Sequence, residues 1–271
     1  MEPGLARDAL TLLLGFATGV LSALFGVGGA IVSNPGLRAL GAEPLVAVGT
    51  TLPSILPGAI TGTLRYRREG LIDWRLITPA AAAGLLAVVA GALLSHELPG
   101  GGHLLLLLIA VLLAFTAWRT AVTGPSDPAG DEDEGGTGPA IGGGGRTRWV
   151  AAGIGVVAGL LSGLLGIGGG VIMVPAFTEL LGLPLKSAIA TSLVCVGIFG
   201  VPATITHAVL GDIDWRLATL LTIGVIPGAR IGASLTIRTA ERRLRLAVGV
   251  FLGLVALVYF VTETRALLQE L

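Results

Sequence analysis

Phe25-Gly26-Val27-Gly28-Gly29-Ala30-Ile31-Val32-Ser33-Asn34-Pro35 returns 140 residues later as Leu165-Gly166-Ile167-Gly168-Gly169-Gly170-Val171-Ile172-Met173-Val174-Pro175. A second pair keeps almost the same offset. Gly70-Leu71-Ile72-Asp73-Trp74-Arg75-Leu76 matches Gly211-Asp212-Ile213-Asp214-Trp215-Arg216-Leu217, 141 residues on. The chain is a duplicated unit, and each copy breaks an apolar segment at a glycine cluster.

The surroundings of that break set the class. Hydrophobic residues make up 53% of the chain and charged residues 13%, where a soluble domain carries about 25% charged. Mean hydropathy is +0.89. Apolar runs near 43–64, 76–95, 103–118, 187–206, 217–236 and 246–262 approach the ~20 residues of a spanning helix. The chain therefore reads as an all-α polytopic membrane protein. Formal net charge is zero, which gives no electrostatic basis for nucleic-acid binding. Cys195 is the single cysteine. It excludes an intramolecular disulfide and a cysteine metal cluster, and it reads as a small buried hydrophobe. Glu2 and Asp8 outweigh Arg7 at the start, which gives no positive n-region of a signal peptide, so 9–25 is expected to be part of the structure.

Residues 122–148, rich in Gly, Pro, Asp and Glu, read as a hydrophilic linker between a first repeat, 9–121, and a second, 149–262. Each repeat shows five apolar pieces. In the first, 9–25 and 29–40 come to about 25 Å and 18 Å as helices. The pair is either a hairpin turning inside the membrane or two short tilted spans, and three full-length helices follow.

An odd number of crossings would invert the second repeat. With the N-terminus outside, one side then holds Arg65, Arg67, Arg68, Arg75, Arg119, Arg146, Arg148, Lys186, Arg238, Arg242, Arg243 and Arg245. The other holds Arg7, Arg38, Arg216 and Arg265, a ratio of 12 to 4; parallel repeats would give 10 to 6. The positive-inside rule favours inverted repeats with both termini outside and a cytoplasmic linker. The tryptophans Trp74, Trp118, Trp149 and Trp215 all fall at expected helix ends, as interfacial anchors do.

Several residues could carry function. Gly26, Gly28, Gly29, Gly166, Gly168, Gly169 and Gly170 can turn the chain and bare N–H groups. A helix starting at such a turn aims its positive end into it, which suits an anion. The alternative is close helix packing through small residues. Thr50-Thr51 and Thr191-Ser192 are duplicated hydroxyl pairs; they either bind an oxyanion or bond to their own helix. Asn34, matched by Val174, is a further polar candidate. Pro35, Pro175, Tyr66, His207 and Arg230 are candidates for gating or coupling. For Arg230 the competing reading is a side chain snorkelling to the interface. Asp73 and Asp214 are expected to cap the helices that follow them. No metal set, P-loop or nucleophile elbow is present in the sequence, so no cofactor and no catalytic residue is assigned. Two broken apolar repeats are the sequence mark of a secondary transporter. The other readings are a channel-like pore for a small solute and a non-transporting membrane scaffold.

The combination resembles the sulfite exporter TauE/SafE family of membrane permeases across both repeats. The residues that carry it are Gly26-Val27-Gly28-Gly29 with Pro35 and Gly166-Ile167-Gly168-Gly169-Gly170 with Pro175. Ala190-Thr191-Ser192-Leu193, His207 before Ile213-Asp214-Trp215, and Pro227-Gly228-Ala229 with Gly232-Ala233 add to it. The resemblance implies a transporter in the cell membrane for small anions such as sulfite, sulfonates or other sulfur-containing anions. Its partners would be that anion and membrane lipid, with a homo-oligomer left open. The first copy departs from the pattern at Ala30 and at Leu86-Ala87, so the halves are not expected to be functionally equal.

Overall fold

The computed structural model describes residues 4–95, 144–166 and 168–270, together with residue 114. Among these every regular element is a helix: α1 (Leu5–Phe25), α2 (Ala30–Ala39), α3 (Pro44–Arg68), α4 (Trp74–Leu94), α5 (Gly144–Leu165), α6 (Gly170–Leu181), α7 (Leu185–Leu210), α8 (Trp215–Arg238) and α9 (Glu241–Glu270). The chain forms two compact units, Met1–Glu97 with Gly144–Arg238, and Leu98–Gly143 with Thr239–Leu271. The first holds α1 to α8. The second holds α9, which buries Leu244, Val248, Leu252, Val255 and Ala256 along one stripe.

Six of the described helices are long and apolar enough to cross a membrane: α1, α3, α4, α5, α7 and α8. α1 and α5 start earlier than the sequence suggests, at Leu5 and Gly144, so the helix of the second repeat takes in the last residues of the expected linker. The apolar run 103–118, the rest of the linker and Trp118 lie outside the described residues. Trp74 and Trp215 open α4 and α8, Trp149 lies near the start of α5, and all three are exposed.

The glycine clusters end α1 and α5 abruptly. Gly26 and Gly28 sit at φ 69° and 70°, and Gly166, Gly168 and Gly169 at 63°, 85° and 67°. Side chains with a Cβ rarely adopt this conformation. The chain doubles back at once, so that Gly29 lies beside Thr18 and Gly169 beside Ala158. The helices that return, α2 and α6, have 10 and 12 residues, about 15 Å and 18 Å. Neither spans a ~30 Å core. Pro35 and Pro175 lie inside them and have no N–H to offer the carbonyls one turn back.

Small residues then bring helix backbones together. A Cβ added to Gly15 or Gly19 on α1 would meet the backbone of Leu221 or Val225 on α8. Gly224, Gly228 and Gly232 approach Leu12, Phe16 and Val20 in return. Both numberings rise together, so α1 and α8 run parallel. The same holds for α4 and α5, where Gly155, Gly159 and Gly163 lie on Ala80, Gly84 and Val88. Such four-residue glycine ladders replace the hydrophobic drive that lipid cannot supply. α3 and α7 cross the other way: Gly62 meets Leu193, Ala59 meets Gly197 and Ile55 meets Gly200.

The ladders predict a sharp contrast between two glycines. A Cβ on Gly228 would land on the Phe16 carbonyl, whereas one on Gly153 of α5 would meet nothing. Gly228→Val should lower stability in detergent by at least the ~1–3 kcal/mol of an overpacked core. Gly153→Ala should leave it unchanged or raise it by up to about 1 kcal/mol. Thermal unfolding of the two purified variants checks both; equal midpoints would contradict the ladder.

Candidate functional site

The two glycine turns touch. A Cβ on Gly168 would lie 3.3 Å from Gly28 Cα, and one on Gly170 would land on the Gly26 carbonyl. Residues 25–31 and 168–171 are all buried. The Ser192 hydroxyl of α7 donates to Gly26 O at 2.8 Å, and a Cβ on Gly26 would come within 2.6 Å of Ile189 O. α2 and α6 both start at this contact, so both positive helix ends converge there.

What the turns offer is backbone N–H. Gly26 N–H closes α1 onto Ser22 O at 2.8 Å, and Val32 and Ser33 return to Gly29 O. Among the described residues no backbone acceptor meets the N–H groups of Val27, Gly28, Gly29, Ala30 or Ile31. Those of Gly168 and Gly169 are in the same position. Gly28 and Gly29, with φ of opposite sign, form the alternating pair whose successive N–H groups make an anion-binding concavity. The buried polar and charged side chains of the described residues include no arginine or lysine. The local field is therefore one of peptide dipoles.

The predicted side chains divide into two groups. Asn34 and Ser192 stand at the turns. Asn34 is 7% exposed, and its Oδ1 lies 2.6 Å from Thr51 Oγ1, which is also 2.6 Å from Ala47 O. One hydroxyl proton serves one of these acceptors at a time. Thr50 and Thr191 lie elsewhere, in matched braces between the repeats. Thr50 Oγ1 accepts from Asp214 N–H at 2.9 Å, and Thr191 Oγ1 accepts from Asp73 N–H at 3.0 Å. Asp73 and Asp214 cap α4 and α8 as expected, their Oδ1 atoms accepting from Arg75 N–H and Arg216 N–H at 2.9 Å and 3.0 Å.

Tyr66 and His207, equivalent in the two copies, are also braces. The Tyr66 hydroxyl donates to Ala23 O at 2.5 Å. His207 Nε2 lies 3.5 Å from Gly163 O, the matching carbonyl, and its Nδ1 lies 2.8 Å from Asp212 Oδ2. Both side chains are fully buried. Arg230 is exposed on the outer face of α8, as is Pro35 on α2, while Pro175 is buried. Two buried hydroxyls that sequence reasoning did not single out belong to the helices before the turns. Thr18 Oγ1 and Ser162 Oγ have no hydrogen-bond partner among the described residues.

Thr191→Val and Thr50→Val each remove the acceptor of a part-buried N–H group. Each should destabilise the protein by about 1–3 kcal/mol, the cost of leaving such a group unmet. Thermal unfolding checks it; wild-type midpoints in both variants would remove the braces from the account.

The comparisons with known proteins follow the same lines. The chain is 28% identical over 228 residues to a “Probable membrane transporter protein” of Xylella fastidiosa (strain 9a5c), covering 83% of this chain and 82% of that one. It is 26% identical over 271 residues to “Probable membrane transporter protein YunE” of Bacillus subtilis (strain 168), with 91% and 94% covered. A “Probable membrane transporter protein” of Haemophilus influenzae matches at 26% over 273 residues, with 93% and 97% covered. No solved structure matches. The family described as “Sulfite exporter TauE/SafE” matches residues 11–259. With both glycine turns and both Ile-Asp-Trp loops inside that match, the chain belongs to the sulfite exporter TauE/SafE family of membrane transporters.

Proposed function

We propose that this protein is a secondary transporter that exports small anions, of the class of sulfite, sulfonates or other sulfur-containing anions. The observation that carries this is the contact between two buried glycine turns with unpaired N–H groups. Unsatisfied backbone at membrane depth is tolerated where it lines a site or a wet cavity. Two helix N-termini converging on it favour negative charge without any cationic side chain. The anion binds at the N–H groups of Gly28 and Gly29 of one repeat and Gly168 and Gly169 of the other, with Asn34 and Ser192 nearby; the Gly170 N–H is taken by Gly168 O at 2.8 Å. Outward movement follows the membrane potential, at about 2.3 kcal/mol per charge per 100 mV.

The repeats are inverted in the membrane. Support comes from the antiparallel crossing of α3 and α7, which are equivalent elements of the two copies. The arginines at the C-terminus of α3, with Lys186 at the start of α7 and Arg238 at the end of α8, fall to the cytoplasmic side. Lys186 Nζ donates to Ile237 O at 2.9 Å, which agrees with those two ends being neighbours.

Two experiments test the reading. Proteoliposomes loaded with radiolabelled sulfite, thiosulfate or methanesulfonate should show saturable flux and counterflow for at least one of them. Flux that neither saturates nor exchanges would indicate a channel, and no flux a scaffold. For topology, Glu69→Cys and Glu43→Cys are made on a Cys195→Ala background; both glutamates are exposed at helix ends. An impermeant maleimide should label Glu43→Cys on intact cells and Glu69→Cys only after permeabilisation. The reverse pattern would overturn the orientation.

A further inference from the structure

A serine or threonine within a membrane helix has an acceptor always at hand, the carbonyl one turn back. Thr11, Thr61, Thr178, Thr204, Thr206 and Thr222 all use it, at 2.6–3.1 Å. Thr18 and Ser162 do not. Both are at least 99% buried, and their hydroxyls have no partner among the described residues. A buried unpaired hydroxyl costs free energy that a rotation towards its own helix would recover. Its survival in two places calls for a physical reason.

Their position supplies one. Thr18 stands against Gly29, the residue that opens α2; its Cγ2 fills the space a Gly29 Cβ would need. It is the methyl that packs on Gly29, and the hydroxyl on the same Cβ is buried next to this turn with no acceptor of its own among the described residues. Ser162 lies one turn beyond Ala158 on the same face of α5, and Ala158 is the residue against which Gly169 packs. One orphan hydroxyl thus stands on the helix before each turn, at or one turn beyond the residue on which that turn's glycine packs.

We propose that the Thr18 and Ser162 hydroxyls are direct ligands of the transported oxyanion. Each donates its proton to an anion oxygen and supplements the backbone N–H groups of the turn, which makes the pair determinants of anion affinity. This inference rests on the transport reading above. It adds side-chain donors that are separate from Asn34 and Ser192, and both lie on the full-length helices rather than on α2 or α6.

The test is transport in proteoliposomes with radiolabelled sulfite and methanesulfonate, using wild type, Thr18→Val, Thr18→Ser and Ser162→Ala. Each variant is first checked for monodispersity and thermal midpoint. Thr18→Val and Ser162→Ala should each raise KM roughly tenfold or more, the loss expected for a hydrogen bond to a charged group. Thr18→Ser keeps the hydroxyl and should stay within threefold of wild type. A purely structural role would lower the amount of folded protein and leave KM unchanged. Wild-type KM in both Thr18→Val and Ser162→Ala, with normal wild-type flux, overturns this inference and leaves the transporter reading intact. Loss of affinity in Thr18→Ser equal to that in Thr18→Val also overturns it, because packing would then be the cause. If Thr18→Val does not fold, Ser162→Ala and Thr18→Ser decide by the same criteria. Absence of saturable flux of either anion in wild type overturns the transporter reading and this inference with it.

Discussion

Backbone N–H groups cannot be left unmet in lipid without cost, and among the described residues several are unmet at the two glycine turns. Everything else in the first unit can be read from that constraint. Glycine makes the break conformationally cheap, since Gly26, Gly28, Gly166, Gly168 and Gly169 all adopt positive φ. It also makes the break close-packed, since Gly168 and Gly170 leave room for the opposite turn to approach. A side chain at Gly169 would be strained at φ 67° and would lie 2.5 Å from Ala158 O. Substitution there would disturb the fold as well as the site, so the two effects cannot be separated at that residue. The hydroxyl and amide side chains around the turns separate them better.

A central break also has to be held in place by neighbours that do not share it. The full-length helices do this in three ways. Parallel glycine ladders join α1 to α8 and α4 to α5, tying each repeat to the other along its length. Thr50 and Thr191 fasten the middle helix of each copy to the Asp-Trp loop of the other. Tyr66 and His207 tie the far ends of α3 and α7 to the carbonyls of Ala23 and Gly163, near the ends of α1 and α5. The pairs obey one internal symmetry, yet their chemistry differs: a phenol against an imidazole with Asp212, and Asn34 against Val174. The halves are alike in architecture and unlike in side-chain detail.

The sequence carried the class, the helical architecture and the family, because these rest on local and periodic signals. A glycine cluster followed by proline in an apolar run has few other readings, and its duplication removed most of the rest. The caps at Asp73 and Asp214 were legible for the same reason. Partner choice was not. Gly224, Gly228 and Gly232 stand in a plain four-residue ladder, but nothing local says that they meet α1. Thr50 and Thr191 stood out as a duplicated pair, and a duplicated hydroxyl suits a brace as well as a ligand; the partner N–H groups lie 164 and 118 residues away. Thr18 and Ser162 were illegible in a stricter sense. What distinguishes them is a hydrogen bond they fail to make, and no pattern of residue types records that.

The central claim is that the touching turns bind the anion through their backbone. Nitrogen-15 spectra of the protein with its backbone amides assigned by triple-resonance methods, recorded with and without methanesulfonate, test it most directly. The account predicts saturable shifts of the Gly28, Gly29, Gly168 and Gly169 amides with one common dissociation constant, and little change at the ladder glycines Gly155 and Gly228. Amides that stay fixed at the turns while saturable shifts appear elsewhere would contradict it.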